Sequence, residues 1–200
     1  KIVKFFSTQN VKTYFTATLE EAIQVRKTDK SAIIYTLNGF YFEKVLDYQR
    51  YNIYPVINNI IEVKKFLAAD FGPTGGAVQI NSGMNRLGIN RKTLKENINL
   101  IKKIPINLII SHLSSADEPN SEANNQQKKE FLKCCEYFPP KTRKSLAASH
   151  GALLDIDFHF DLIRLGIGVY GGIKHKNLRS VLQIRSPIIN ASIIEKGMGI

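Results

Sequence analysis

The sequence predicts an α/β protein: a (β/α)8 TIM-type barrel that is incomplete because its first strand is missing. Short runs of β-branched, aromatic and other apolar residues alternate along the 200 residues with helix-like segments. The runs are continuously apolar rather than alternating, which is typical of a parallel sheet covered on both faces. An open doubly wound sheet is the alternative. It is less favoured because the first crossover lacks a Gly-rich dinucleotide fingerprint.

Seven strands and at least three helices are predicted in chain order. The strands are expected at residues 13–17, 32–37, 54–57, 77–80, 108–111, 145–149 and 162–167. TLEE at residues 18–21 and TLKE at residues 93–96 each predict a capping box, in which threonine and glutamate satisfy free backbone N–H groups at the start of a helix. A third helix is expected from near residue 121 to residue 137, before a pair of prolines.

The pattern also predicts two domains. Residues 1–172 are expected to form the partial barrel, which carries the ligand-binding edge. Residues 173–200, with the sequence VLQIRSPIINASII, resemble β structure without crossovers and predict the start of a truncated C-terminal β domain. The chain begins without an initiator methionine and ends in mid-pattern, so we expect it to be part of a longer protein.

The composition predicts a globular protein that binds neither nucleic acid nor a membrane. The net charge is +11 and the pI about 9.6, but the lysines are scattered and no aromatic-and-basic motif accompanies them. No apolar run reaches the ~18 residues of a membrane helix, and no secretory signal is recognised, so a cytoplasmic location is expected. Cys134 and Cys135 are neighbours in a predicted helix, which favours reduced thiols. No metal-ligand spacing is found.

Charged and polar residues follow several predicted strands, at the edge where a barrel binds its ligands. Arg86 lies in the loop NSGMNRLG after residues 77–80, and His112 comes directly after residues 108–111. Arg164 lies within the apolar run LIRLGIG, where burial of an unpartnered guanidinium is costly, so a functional interpretation is favoured. A histidine after a strand is more often structural, and that alternative stays open for His112.

Two turns predict an anion site. Ser149 ends the run at residues 145–149, and Gly166, Ile167 and Gly168 end the next run. In a complete barrel these turns would follow the seventh and eighth strands, where backbone N–H groups and a hydroxyl surround a phosphate. Each residue alone has a plainer interpretation, because serine caps turns and glycine permits bends. Their combination at one edge favours the phosphate site.

Five motifs carry a resemblance to the alanine racemase family. In family order they are YFTATLEEAIQVR, NSGMNRLG, SHLSSADEP, SLAASHG and IRLGIGVYG. The resemblance implies the cofactor pyridoxal 5'-phosphate and the interconversion of L-alanine and D-alanine, which supplies D-alanine for peptidoglycan. It also implies a homodimer for the complete protein, with alanine as the small-molecule substrate.

The resemblance implies a role for each candidate residue. Arg164 would donate to the pyridine nitrogen of the cofactor, and its permanent charge would disfavour protonation of that nitrogen. Arg86 would bind the cofactor's phenolic oxygen and help to place the substrate carboxylate, with Met84 nearby. His112 would lie against the ring. The phosphate would be held by Ser149, Gly166 and Ile167.

Three positions depart from the family pattern. Gln79 stands where a lysine carbamylated by carbon dioxide is frequent. It can accept a hydrogen bond from Arg86 but cannot be carbamylated, so the charge of Arg86 is uncompensated unless an anion binds. Ala148 replaces an asparagine before the phosphate serine, and Leu165 replaces a proline after Arg164.

Racemisation requires two bases on opposite faces of the reacting carbon. The resemblance assigns them to a lysine on the first barrel strand and a tyrosine in the β domain of the partner subunit. Both are expected outside this chain, so no catalytic residue is predicted within it, and the isolated chain is expected to be inactive. The alternatives are a non-catalytic remnant or split-gene pyridoxal phosphate-binding fragment, and another barrel enzyme that acts on a phosphorylated small molecule.

Overall fold

Six strands form one parallel sheet in the computed structural model, which describes residues 1–69, 71, 75–181 and 183–198. The strands are β1 (Thr13–Thr16), β2 (Ile33–Thr36), β3 (Tyr54–Ile57), β4 (Gly76–Gln79), β5 (Ile106–Ile110) and β6 (Arg143–Ser145). Each strand pairs with the next one along the chain. Because the order never reverses, the right-handed crossovers all lie on one side and the sheet curls. The prediction of an incomplete barrel is therefore confirmed.

Six α-helices connect and cover the strands in the described part of the chain. They are α1 (Ile2–Thr8), α2 (Leu19–Thr28), α3 (Val45–Arg50), α4 (Ile60–Ala68), α5 (Arg91–Ile101) and α6 (Glu122–Cys135). The capping box before α2 is confirmed, because the Thr18 hydroxyl accepts from the Glu21 N–H and the Glu21 carboxylate accepts from the Thr18 N–H. No helix in these ranges has the length and apolar character of a membrane span.

The second predicted capping box is wrong. Helix α5 begins at Arg91, two residues before Thr93, and the Asn90 side chain accepts a hydrogen bond from the Thr93 N–H at 2.9 Å. Asparagine caps a helix at least as well as threonine, so the cap lies at Asn90 and Thr93 becomes part of the first turn. Helix α6 follows the third helix prediction but ends at Cys135.

The last two predicted strands differ most from the structure. β6 ends at Ser145, so the run at 145–149 lies mainly beyond the strand. The run at 162–167 is not a strand: it meets its neighbour through a single parallel bridge between Ala148 and Arg164. The Arg164 N–H donates to the Ala147 carbonyl at 3.0 Å, and a 3-10 turn then begins at Ile167. That turn prevents the pairing from continuing along the chain.

The sheet is apolar on both faces, as its continuous apolar runs predicted. Successive residues of one strand point to opposite faces, so Ile34 joins the large cluster beneath the helices while Tyr35 joins a smaller cluster on the concave face. Val78 and Ala77 of β4 divide in the same way. The concave cluster consists of Tyr35, Val56, Ala77, Leu108 and Ile110, bordered by partly buried residues that include Phe15 and Leu162.

The segment that follows the barrel is largely exposed. No strand forms among residues 173–181 and 183–198, and Ile184 and Ile193 are 97% and 100% exposed. The C-terminal β domain therefore stays a prediction, and Gly199 and Ile200 lie outside the described residues.

Candidate functional site

A cleft of about 770 Å³ opens at the carboxyl ends of the strands. Its walls come from Phe15 of β1, from the ends of β4 and β5 and from the segments that follow β2, β4, β5 and β6, which is the edge where a barrel holds its ligands. The residues to which the family resemblance gave a role line this cleft: Met84, Arg86, His112, Ser149, Arg164, Gly166 and Ile167. The fold thus brings them together, while the role of each stays a prediction.

The loop after β4 is shaped by its own side chains. The Asn81 carboxamide oxygen accepts from the N–H groups of Gly83 and Asn85, each at 3.1 Å, and Asn85 adopts a φ of +58°. Gly88, at φ +103°, closes the loop against the strand: a Cβ there would lie 2.7 Å from the Asn81 nitrogen. The loop presents Arg86 exposed at the rim of the cleft.

Arg164 lies at the floor of the cleft and is held by backbone carbonyls. Its Nη1 donates to the Ser145 carbonyl at 2.9 Å and to the Ser145 hydroxyl at 2.6 Å. Its Nη2 donates to the carbonyls of Ser111 and Leu146. These bonds connect the ends of β5 and β6 through one guanidinium and fix its orientation. Sequence reasoning favoured function for this residue; the structure adds a structural role.

The charge of Arg164 has no acidic partner among the described residues. The ion pairs found there are Lys44–Glu20, Arg91–Glu130 and Lys128–Asp157, all outside the cleft floor. Burial lowers the pKa of Arg164 to about 10, which leaves it charged at neutral pH. Its Nε atom makes no hydrogen bond to the described residues. The cleft floor can therefore stabilise an anion or a strong hydrogen-bond acceptor.

His112 is neutral in this setting. Burial, followed by the nearby charges of Arg164 and Arg86, lowers the pKa of the imidazole to about 4. Its Nδ1 lies 3.5 Å from Nη2 of Arg164. Because a guanidinium only donates, Nδ1 acts as the acceptor and the ring proton lies on Nε2. A flat, half-buried, neutral ring is suited to lie against another planar group.

The predicted anion site has converging donors. The backbone N–H groups of Gly166 and Gly168 both donate to the Ser149 hydroxyl oxygen, at 2.8 and 3.1 Å. Ser149 itself is buried, and a Cβ on Gly168 would lie 3.2 Å from the Ser149 Cβ. Both N–H groups are engaged by the Ser149 oxygen in this structure, so the Ser149 hydroxyl proton is the donor that the turn offers directly, with the two amides next to it. Amide and hydroxyl donors gathered in one turn are typical of phosphate sites.

Gln79 is buried at the cleft wall, but the predicted hydrogen bond to Arg86 is not formed among the described residues. The geometry explains this difference, because the Arg86 side chain is exposed at the rim while Gln79 ends β4 inside the cleft. No acidic partner of Arg86 is found among the described residues, and compensation of its charge by a bound anion stays a prediction. Asp117 also lines the cleft, and neither arginine forms an ion pair with it.

Sequence reasoning missed a buried polar network behind the cleft. The hydroxyls of Ser82 and Ser111 lie 2.7 Å apart, and Gln127 of α6 contacts Ser82 from the other side at 3.5 Å. The available signal was helical spacing: Gln127 lies three residues after Asn124 and four before Phe131, on the buried face of α6. A polar residue at such a position must find partners inside the protein.

Fold and site together define a class: an incomplete (β/α)8 barrel with a cationic cleft at its strand ends. The chain belongs to the alanine racemase family, because the family model described as "Alanine racemase, N-terminal domain" matches residues 1–174. The resemblance found in the five motifs is thereby confirmed. A barrel enzyme of another family is no longer a competing interpretation.

Curated relatives and solved structures agree with this assignment. The chain is 32% identical to an alanine racemase of Rickettsia bellii, over 98% of this chain and 51% of that protein. It is 35% identical to one of Rickettsia typhi, over 86% and 44% respectively. The chain therefore spans about half the length of the curated relatives it matches. These relatives are isomerases by name.

The solved structures extend the likeness to three dimensions. An alanine racemase from Bartonella henselae, with covalently bound pyridoxal phosphate, has a TM-score of 0.82 and 27% identity, over 90% of this chain and 55% of that one. The biosynthetic alanine racemase from Pseudomonas aeruginosa has a TM-score of 0.74 and 30% identity, over 81% and 46%.

Proposed function

We propose that this chain is the cofactor-binding barrel part of an alanine racemase that interconverts L-alanine and D-alanine. The observation that carries the proposal is one cleft lined both by the charged guanidinium of Arg164, whose Nε makes no hydrogen bond to the described residues, and by the Ser149 turn with its two amides. A ligand with an aromatic nitrogen at one end and a phosphate at the other matches both features. Pyridoxal 5'-phosphate is such a ligand, and the structural relative from Bartonella henselae holds it.

The residues divide between the two ends of the ligand. Ser149, Gly166 and Ile167 would bind the phosphate through a hydroxyl and backbone N–H groups. Arg164 would donate to the ring nitrogen, and the neutral His112 would lie against the ring. When bound, pyridoxal phosphate withdraws electrons from the α-carbon of an amino acid. Arg164 would oppose protonation of the ring nitrogen, which would weaken this withdrawal and favour return of a proton over side reactions.

The substrate end would lie at the rim of the cleft. The exposed Arg86 would place the substrate carboxylate and contact the phenolic oxygen of the cofactor, with Met84 beside it. Because Gln79 supplies no charge, a bound anion would balance Arg86. No residue of this chain is assigned as the base that moves the α-proton, so the isolated chain would not racemise alanine.

The whole protein would act as a homodimer in the cytoplasm and supply D-alanine for peptidoglycan, since a second subunit would complete the pair of bases. The residues seen here would then bind and tune the cofactor. A non-catalytic remnant would keep the same cofactor site, so cofactor binding tests the site but not the catalytic role. Racemase activity, measured when the segments that carry the two bases are present, separates the two proposals.

Binding is tested by titrating the 200-residue chain with pyridoxal phosphate and following the fluorescence of its 8 tyrosines, since tryptophan is absent. We expect saturable binding that inorganic phosphate displaces. Ser149→Ala should weaken binding about tenfold, because one hydrogen bond to a charged phosphate is lost. Ser121→Ala is the matched control, because that serine precedes α6 without a side-chain cap bond. Absence of saturable binding, or equal affinity in both variants, contradicts the proposal.

A further inference from the structure

Gln127 is a buried polar side chain behind the cleft whose carboxamide oxygen and nitrogen both form hydrogen bonds. It lies on α6 and is 4% exposed. Its carboxamide oxygen accepts from the Ser114 N–H at 2.8 Å and from the Ser114 hydroxyl at 2.9 Å. Its nitrogen donates to the His112 carbonyl at 3.0 Å and contacts the Ser82 hydroxyl at 3.5 Å. A carboxamide that uses both ends in this way has one rotamer and one orientation.

These bonds reach both loops that form the open side of the cleft. Ser82 belongs to the loop after β4, which carries Met84 and Arg86, and the Ser114 and His112 contacts belong to the loop after β5. The first loop also packs on the same side chain, since a Cβ at Gly83, at φ +138°, would lie 3.2 Å from the Gln127 Cγ. One planar amide therefore sets the spacing between the two loops.

The network continues to the cleft floor. The Ser82 hydroxyl contacts the Ser111 hydroxyl at 2.7 Å, and the Ser111 hydroxyl donates to the Ile80 carbonyl at 2.7 Å. The Ser111 carbonyl in turn accepts from Arg164. Gln127 is thus connected, through side chains and short backbone steps, to each residue expected to contact the ring.

We propose that Gln127 is a positioning residue. From helix α6 it fixes the spacing between the loop that carries Arg86 and the loop that carries His112, so that both side chains face the same ligand ring. The ligand part of this statement rests on the proposed function. The statement that Gln127 fixes the two loops does not rest on it, because the loops are held in the ligand-free protein. Ligand-contacting groups require support of this kind, since a displacement of about 1 Å at the ring weakens binding.

The same helix offers a matched control in Asn124. Asn124 is 1% exposed and donates to the carbonyls of Ser115 and Glu118, at 3.1 and 3.0 Å. It therefore holds the segment that follows the His112 loop, and its hydrogen bonds reach neither Ser82 nor His112. Replacement of either residue by leucine removes buried hydrogen bonds from α6, but only Gln127→Leu removes the contacts that α6 makes with both cleft loops, leaving the Ser82–Ser111 hydroxyl contact in place.

The first test is amide hydrogen exchange of the ligand-free chain. In Gln127→Leu, exchange should rise about tenfold or more in residues 81–88 and 112–114, because hydrogen bonds that hold both segments are lost. In Asn124→Leu these segments should exchange as in the wild type. Gln127→Glu keeps the bonds from Ser114 but cannot donate to the His112 carbonyl. Exchange of these segments in Gln127→Glu should therefore be faster than in the wild type and slower than in Gln127→Leu. Unchanged exchange in Gln127→Leu overturns the proposal.

The second test compares pyridoxal phosphate, which would span the cleft, with inorganic phosphate, which would bind only at the turn of Ser149. Gln127→Leu should weaken pyridoxal phosphate binding about tenfold, with inorganic phosphate affinity unchanged, because the hydrogen bonds of Gln127 go to Ser82, His112 and Ser114 and not to the turn of Ser149. The induced circular dichroism of bound pyridoxal phosphate should fall as well. An equal loss for both ligands would mean a general loss of structure and overturn the positioning role. If the wild type binds no pyridoxal phosphate, the proposed function fails, while the exchange result still decides the role of Gln127.

Discussion

Nη2 of Arg164 lies 3.5 Å from Nδ1 of His112, so a permanent cation faces a ring nitrogen that must stay unprotonated. The contact links the floor of the cleft to its wall, because Arg164 is bound to carbonyls at the ends of β5 and β6 while His112 follows β5. Protonation of His112 would place two positive charges together in a partly buried site. Arg164 thus supplies a charged hydrogen-bond donor to the cleft, and His112 supplies a neutral ring.

The first prediction concerns the pH dependence of stability. The pKa of His112 is lowered to about 4, below its unfolded value of 6.5, so the unfolded chain binds this proton more readily. The contribution of His112 is fully present above pH 6.5 and is lost as the pH falls from 6.5 to about 4. Unfolding in urea should show a loss of roughly 2–3 kcal/mol across this window.

His112→Gln removes the titrating group and should flatten this part of the profile. His159→Gln is the control, because the His159 ring contacts the Ala152 carbonyl and does not line the cleft. A profile of His112→Gln that is as steep as the wild type would show that other groups cause the acid loss. An NMR titration of the His112 ring protons with a midpoint near 6.5 would contradict the prediction directly.

The second prediction separates the two arginines of the cleft. Arg164→Leu should destabilise the fold by about 2–4 kcal/mol, because carbonyls at the ends of β5 and β6 lose a charged donor. Arg86→Leu should change stability by less than about 0.5 kcal/mol, because Arg86 is exposed and forms no hydrogen bond to the described residues. Both variants should weaken pyridoxal phosphate binding. Equal unfolding free energies for the two variants would contradict the structural role of Arg164.

The third prediction concerns the glycines of the cleft. Gly88→Ala should cost about 1–3 kcal/mol, because φ is +103° there and the new Cβ would lie 2.7 Å from the Asn81 nitrogen. Gly166→Ala should be tolerated, since its φ is −125° and nothing lies within 4 Å of the position of its Cβ. Thermal melts of both variants give the comparison. A Gly88→Ala chain as stable as Gly166→Ala would mean that the loop after β4 adopts another backbone.

The fourth prediction concerns the paired cysteines. Burial raises the pKa of both Cys134 and Cys135 to about 12, so almost no thiolate is present at pH 8. The folded chain should resist alkylation by iodoacetamide, and both thiols should react in denaturant. Rapid labelling of the folded chain, measured by intact mass, would show that the end of α6 opens.

Local signals in the chain predicted the strands and helices whose residues interact mainly with near neighbours. The capping box of Thr18 and Glu21 involves residues three apart, and the loop after β4 is held by Asn81, Gly83, Asn85 and Gly88, all close in sequence. Where two local signals competed, as at Asn90 and Thr93, sequence reasoning chose the wrong cap. Both residues are suitable caps, and the choice depends on where the incoming loop leaves the barrel.

What the amino-acid order established was the family, the parallel barrel and the set of polar residues at its strand ends, since these depend on composition and short-range pattern. Only the folded chain decided that residues 162–167 pair through one bridge and that Gln79 lies apart from Arg86. The tertiary structure also decided the hydrogen-bond contacts of Gln127 with Ser82, 45 residues apart in sequence, and of Arg164 with Ser111, 53 residues apart. Strand pairing and buried hydrogen bonds need partners that are distant in sequence, and such partners are identified only when the strands have assembled into the sheet.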